Sequence, residues 1–320
     1  MPARLLVVWT ASLLSASTTN TRTSEVVPDA AEQPAAGRLS CRVPAEVRQG
    51  RSGKDPGCEE DARTRALEGP RGLRAIWGKP VPLLPKRRQR FIMRSMLTLF
   101  GRDVLRIEGV EHLAPEHDPF VLVMNHTTRL EALLLPVLFA YHRRGKMVSF
   151  IADWNFALIP GIATILREGE SILLVRKPAK PAFLNVFRPW FSRKGPAFER
   201  AAQVIGSGRS VGIFPEGTTN RHPTRLLRGF DGAARLSLET GCPVVPAGVR
   251  FPGQASDRPV RDRTPMEVVI GAPLVPTRSR GEPSREEVRA WHSEIMREIG
   301  RLSGKTWEPK SARRKYHGLE

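Results

Sequence analysis

Short apolar runs recur along the second two-thirds of the chain, at Phe120–Met124, Met147–Ile151, Ile172–Val175, Val211–Phe214, Val244–Val249 and Met266–Ile270. Each is four to six residues of mainly aliphatic or aromatic side chains. That length and make-up suit strands buried on both faces. Between several of them the apolar spacing becomes helical, at Leu130–Tyr141, Ala197–Ile205 and Ala233–Thr240. Strand and helix alternating in this way predict an α/β fold, a central and mostly buried sheet flanked by helices. A last helix opens on a capping-box pattern, Ser284 with Glu287, and repeats apolar residues at Val288, Trp291, Ile295, Ile299 and Leu302. It is expected to pack back on the domain. Residues 178–195 interrupt the rhythm with Pro, aromatic and basic residues and are expected to form an inserted loop.

The first 85 residues differ in character. Leu5 to Ala16 form a short apolar stretch behind Arg4, the outline of a signal peptide without a clean small-x-small cleavage site. From Thr18 to about Pro85 the chain is Ser/Thr, Pro, Gly and charge without periodicity, so residues 1–85 are expected to be a disordered leader, a signal-like segment or the product of a mis-assigned start. Lys86, Arg87, Arg88 and Arg90 then precede Phe91, Ile92, Met93, Met96, Leu97, Leu99 and Phe100. A basic collar beside an apolar helix face over 86–102 fits a helix anchored in a membrane interface, and equally one docked on the core. A single domain is expected over 103–303, with a basic tail at 304–320. The chain shows no internal repeat.

Charge narrows the partners. The chain holds 51 Lys and Arg against 32 Asp and Glu, a formal net charge of +19, and residues 86–320 carry 39 of the former against 23 of the latter. Such a surface attracts polyanions: nucleic acid, anionic lipid headgroups or phosphate-bearing substrates and carriers. With two Tyr, no aromatic-rich RNA-binding signature and no zinc spacing, nucleic acid is the less favoured partner. No run reaches the eighteen or so apolar residues of a spanning helix, which excludes a polytopic membrane protein. Three widely spaced cysteines, Cys41, Cys58 and Cys242, draw no disulfide framework or metal site and fit a reducing compartment.

Two segments carry candidate chemistry, each at the end of a predicted strand, where α/β proteins place reactive groups. The first is Asn125-His126-Thr127-Thr128-Arg129-Leu130-Glu131. A carboxylate on one imidazole nitrogen fixes the tautomer and leaves the other nitrogen to take a substrate proton. Positions i and i+5 of one continuous helix point about 140° apart, so His126 must lie before the helix and Glu131 must fold back from its first turn. Thr127 or Thr128 as N-cap allows that. The second is Phe214-Pro215-Glu216-Gly217-Thr218-Thr219-Asn220-Arg221, a turn with exposed backbone N–H groups suited to an anionic headgroup, with charge added by Arg221, Arg225 and Arg228. Taken singly, each segment is as well read as a surface His near a surface Glu and a plain strand-to-helix turn.

Together they resemble the glycerolipid acyltransferase superfamily of the PlsC type, the 1-acylglycerol-3-phosphate acyltransferases. The family's NHxxxxD block is answered by Asn125, His126 and Glu131, and its FPEGT block is matched outright by Phe214 to Thr218. The G-x-I-x-V-x-R block is similar to Gly169-Glu170-Ser171-Ile172-Leu173-Leu174-Val175-Arg176, the G-A-A-R-L-A-L helix to Gly232–Leu238, and the final Val/Ile-Pro block to Pro243-Val244-Val245-Pro246. The resemblance covers about Val104 to Leu274. It implies that His126 is the general base and Glu131 its orienter. It further implies that Asn125, Glu216, Gly217 and Thr218 shape the acceptor site, and that Arg176, with Arg221 and Arg228, meets the acceptor phosphate. It implies acyl-CoA or acyl-ACP as co-substrate, no metal or prosthetic group, and a monotopic or peripheral enzyme on the cytoplasmic face of an anionic membrane, acting on a lysophospholipid.

Three departures bear on substrate. The family's Asp is Glu131, one methylene longer. The basic residue after FPEGT is Thr219, and the Lys of G-K-x-G-A-A-R is Phe230. The foremost acceptor is lysophosphatidic acid, giving phosphatidic acid. The same departures fit a lysophospholipid with a larger headgroup, or a family member that binds lipid without turning it over.

Overall fold

The computed structural model describes residues 66–179, 182–192, 195–277 and 282–312. The signal-like stretch Leu5–Ala16 lies outside the described residues, as do Cys41 and Cys58. In chain order the elements are β1 (Leu67–Glu68), α1 (Leu73–Gly78), α2 (Arg87–Phe100), β2 (Val104–Glu108), β3 (Val121–Met124), α3 (Arg129–His142), β4 (Ser149–Asp153), α4 (Pro160–Glu168), β5 (Ile172–Leu174), α5 (Arg188–Ser192), α6 (Ala197–Gly206), β6 (Val211–Ile213), α7 (Gly232–Thr240), β7 (Val244–Arg250), β8 (Met266–Ile270) and α8 (Arg285–Ser303).

The strands form one eight-stranded sheet in the order β1-β2-β8-β7-β3-β6-β4-β5. Pairing is parallel except at β1/β2 and β7/β8. Successive side chains of a strand point to opposite faces, and both faces of this sheet are covered. Phe120, Leu122 and Met124, at and within β3, join a core with Met93, Met96 and Leu97 of α2 and Leu134, Leu135 and Leu138 of α3. Val121 and Val123 join the opposite core, with residues of α6, α7 and α8 such as Ala201, Leu236 and Ile295. This double burial is why the strands read as continuous apolar runs.

Several expectations are corrected. The chain joins the fold well before residue 86: β1 pairs with β2, and Ile76, Val81 and Leu84 are buried. Three short apolar contacts spread over a Pro- and Gly-rich stretch leave no period to detect. The helix at 86–102 turns Met93, Met96 and Leu97 inward, so its main apolar stripe packs on the core, and Phe91 and Leu99 remain exposed. Residues 178–195 are not a plain loop, for they contain a 3-10 turn, Ala182–Phe187, followed by α5. The tail does not begin at residue 304. Lys305 is buried, Thr306 bridges Arg225, and Leu226 N–H donates to the Thr306 carbonyl. Besides β1, α1 and α5, two elements were not foreseen. β2 has only Val104 and Ile107 fully buried, and α4 opens on Pro160-Gly161, which reads as a break although Pro is favoured in a helix's first turn. The predicted capping box at Ser284 and Glu287 is present at the start of α8.

Candidate active site

β3 and β6 are adjacent and parallel, with Val121 opposite Val211 and Val123 opposite Ile213. Both therefore leave the sheet at the same edge, and the segments that follow them meet there although about ninety residues separate them in sequence. His126 stands two residues past β3 and Glu216 three past β6.

Thr128 is the N-cap of α3, in extended conformation, and its side chain accepts from the Glu131 N–H. His126 thus precedes the helix, and Glu131, in the first turn, folds back towards it. His126 Nδ1 lies 2.9 Å from Glu131 Oε1. The same oxygen accepts a hydrogen bond from the Thr127 N–H. The Glu131 side chain has no solvent exposure and that of His126 has 15%. A carboxylate there is favoured by the helix N-terminus. With Nδ1–H donating to Glu131, the neutral imidazole presents Nε2 as its acceptor. The His126 ring leans on Phe214 with centroids 4.6 Å apart, which fixes its remaining freedom. The longer side chain at 131 spans the gap to the imidazole at normal hydrogen-bond length.

Glu216 is fully buried and mounts the two segments on each other. Its Oε1 accepts from the His126 N–H at 3.0 Å, and its Oε2 from Asn220 Nδ2 at 2.7 Å and the Leu227 N–H at 2.9 Å. All three partners donate, as the lone pairs of a carboxylate allow. Burial pushes this carboxyl above its ordinary range, and the bonds from His126, Leu227 and Asn220 together with the charge of Lys305 oppose that rise. Gly217 turns the chain at φ +64°, and a Cβ there would sit 2.6 Å from the Phe230 ring, so the position takes glycine on both counts.

The other expected site residues differ in how far their side chains are engaged within the fold. Asn125 is wholly buried. Its Nδ2 donates to the Val249 carbonyl and to Thr127 Oγ1, and its Oδ1 accepts from the Val249 N–H at 2.7 Å. It stitches the end of β3 to β7 and has no surface left for a substrate. Arg221 is spent on Asp262, 2.6 Å away, and on the Val260 carbonyl. Arg228 offers its backbone: its carbonyl accepts from His292 Nε2 and Trp307 Nε1, and its N–H donates to Ala312. Arg176 is exposed, its guanidinium 4.5 Å from the centroid of Phe230, which brings it beside the turn at Gly217 and Thr218.

Two residues escaped the sequence. Asn220, inside the second segment, donates its N–H to the His126 carbonyl at 2.7 Å besides bonding Glu216; its signal was three residues of polar turn that any loop shows. Lys305 comes from beyond α8. Its ammonium donates to Thr127 Oγ1 at 2.9 Å and to the His222 carbonyl at 2.8 Å. A lysine among the basic residues that close the chain carried no sign of this.

With that geometry in view, comparison with known proteins is informative. The Acyltransferase family model matches residues 104–250. A 1-acyl-sn-glycerol-3-phosphate acyltransferase of Borreliella burgdorferi is 27% identical over 158 residues, 49% of this chain and 55% of its own. A chloroplastic 1-acyl-sn-glycerol-3-phosphate acyltransferase of Arabidopsis thaliana is 28% identical over 177 residues, 53% and 44% of the two chains. The chain thus spans about half the length of these relatives. The 1-acyl-sn-glycerol-3-phosphate acyltransferase of Bacillus subtilis is 29% identical over 216 residues, 67% of this chain and 94% of its own. The crystal structure of the PlsC acyltransferase of Thermotoga maritima covers 71% of this chain and 86% of its own at 21% identity with a TM-score of 0.45. The matched segment holds the His126 and Glu216 turns with the sheet edge that joins them, and in its ordered blocks and its relatives the chain is similar to the PlsC-type glycerolipid acyltransferases.

Proposed function

We propose that the protein transfers a fatty acyl group from acyl-CoA or acyl-ACP to the free hydroxyl of a lysophospholipid, foremost 1-acylglycerol-3-phosphate, giving phosphatidic acid. The carrying observation is the buried Glu131 carboxylate on Nδ1 of a half-open His126, at a sheet edge where two backbone turns converge. Nε2 takes the proton of the lipid hydroxyl as its oxygen attacks the thioester carbonyl carbon. Glu131 holds the ring and offsets the imidazolium charge. As the C–S bond breaks, the imidazolium returns the proton to the departing thiolate. General-base help of this kind is worth about 10² to 10⁴ in rate.

One observation accommodates a second acceptor. The family's phosphate-side Lys is Phe230 here, and its ring carries Arg176. A cation on an aromatic shelf beside the turn suits a phosphodiester with a larger headgroup as well as a phosphomonoester.

Access to lipid is assigned to exposed apolar side chains. Among the described residues no helix is long and apolar enough to cross a membrane. Phe156, Ile159, Phe183, Val186, Phe187 and Trp190 are all exposed, as are Leu73, Trp77, Phe91 and Leu99 around α1 and α2. Together with the basic excess these support a monotopic enzyme on an anionic, cytoplasmic membrane face.

The test supplies labelled acyl-CoA, then acyl-ACP, and a panel of lysolipids to membranes enriched in the protein, beside His126→Ala. Phosphatidic acid made by the wild type and absent with His126→Ala is the expected result. Product from another lysolipid alone transfers the assignment to that acceptor. No product that depends on His126 overturns the proposal.

A further inference from the structure

The acceptor-only carboxylates of Glu131 and Glu216 bring two negative charges into one buried site, and a buried charge without a counter-charge is costly. Among the described residues, neither bonds a basic side chain other than the imidazole. Glu131 uses Oε1 for His126 and Thr127, and its buried Oε2 has no hydrogen-bond partner there. Glu216 is bonded by amides alone. The buried cation facing them is Lys305, itself 5% exposed. Its ammonium reaches the site because α8 ends at Gly304, which at φ +70° turns the chain back so that the Lys305 N–H donates to the Gly300 carbonyl at 3.0 Å. The turn is clamped to the loop after β6: Thr306 N–H donates to the Thr224 carbonyl at 2.8 Å and Leu226 N–H to the Thr306 carbonyl at 2.9 Å.

We propose that Lys305, which lies outside the segment shared with the acyltransferase family, is a positioning residue of the active site. Its ammonium supplies a buried counter-charge to Glu131 and Glu216, offsetting one of their two negative charges. It also ties Thr127, the residue next to the base, to the His222 carbonyl of the facing loop. It touches no reacting atom and acts through the groups that hold His126. The proposal rests on the acyltransferase reading above. The electrostatics agree with the geometry: burial pushes the Lys305 ammonium down while the charges of Glu216 and Glu131 hold it up, and Lys305 in turn pulls Glu216 down. The titratable and charged groups around it are Glu131 from the β3–α3 turn, Glu216, His222 and Arg225 from the loop after β6, Arg250 at the end of β7 and Glu267 of β8.

The experiment compares full-length wild type, Lys305→Met, Glu216→Gln and the double variant, measuring kcat and KM for both substrates across pH. With Lys305→Met, kcat is expected to fall about 10²-fold, the scale of a misplaced catalytic group, with KM within threefold. Without the cation Glu216 protonates more readily, so the acid-side loss of activity should move up by about one pH unit. In the Glu216→Gln background one of the two charges is gone, and Lys305→Met should cost at least fivefold less. A kcat within threefold of wild type, an unmoved acid limb, or an equal loss in both backgrounds overturns the proposal. If Lys305→Met does not fold, Lys305→Arg decides: a folded, active protein supports the role of the charge, and one that is inactive or unfolded refutes it. Absence of activity that depends on His126 in the wild type overturns the acyltransferase reading and this proposal with it, whereas wild-type turnover that survives Lys305→Met overturns this proposal alone.

Discussion

Glu131→Asp installs the residue that the family carries at this position, and the geometry predicts that it harms this protein. The backbone at 131 is fixed by the Thr128 cap, so the shorter side chain cannot draw its helix closer. Removing one methylene retracts the carboxylate by about 1.5 Å, one C–C bond length. The 2.9 Å contact with His126 Nδ1 opens to about 4 Å, beyond hydrogen-bond reach, and the bond from Thr127 N–H goes with it. A hydrogen bond to a charged group contributes about 1.5–3 kcal/mol, so turnover should fall about 10- to 10²-fold with KM little changed. The stranded Thr127 donor should lower stability by about 1–3 kcal/mol. Initial rates of labelled phosphatidic acid formation at saturating acyl donor read the first effect, and urea unfolding the second. A Glu131→Asp variant that keeps a third or more of wild-type kcat would show that the loop closes the gap and that the reach of the side chain is unimportant. Similarity to the acyltransferases taken alone predicts that retention, so the two lines of reasoning are separated by one variant.

Further outcomes follow from other contacts. Asp118, 2% exposed, pairs with the buried Arg143 at 2.5 Å and with Lys146 at 2.7 Å, and Asp118→Ala leaves the guanidinium unpaired; urea unfolding should show a loss of about 3–5 kcal/mol. Burial holds the His142 imidazole down at about 4, below its ordinary 6.5. The folded protein therefore binds fewer protons than the unfolded chain between those values. Its stability is undiminished above pH 6.5 and declines as pH falls, by about 2 kcal/mol at pH 5, and His142→Gln should remove most of that slope. At Gly248 an added Cβ would run into the backbone of Leu302 and Ser303, so Gly248→Ala should cost about 1–3 kcal/mol and, by shifting the end of α8, lower turnover too; unfolding and rate measurements on the same preparation check both. Trp190→Ser with Phe183→Ser should weaken sedimentation with anionic vesicles severalfold and leave the melting temperature unchanged, since both side chains are over 70% exposed.

The central sheet was legible because β3, β6 and β7 are buried on both faces and leave an apolar run in the sequence. β2 was not, since only part of it is buried, and neither was α4, whose first residues are a Pro-Gly pair. The fold-back of Glu131 onto His126 could be reasoned from helix geometry, because a five-residue separation forces the histidine out of the helix and Thr128 is a capping residue. Nothing comparable marked Lys305 or the true use of Asn125. A side chain's partner across 178 or 124 residues depends on strand order, and local pattern does not encode strand order. The partner of Arg221 was hidden for a related reason: it was read as added charge at the turn, and Asp262, forty-one residues on, pairs with it.

The strand order carries one more consequence. The segment matched to the family, 104–250, contains β2 and β7, yet these do not touch, because β8 at Met266–Ile270 lies hydrogen-bonded between them. Excised at those limits, the segment would hold β2 adrift and present the whole of β7, all but its last residue buried in the intact protein, as a bare apolar edge. Such an edge pairs with copies of itself. The stretch by which this chain is recognised is thus shorter than the smallest piece that could be expressed as a soluble domain or exchanged with a relative, and a workable excision must extend past β8 and carry α8 with it.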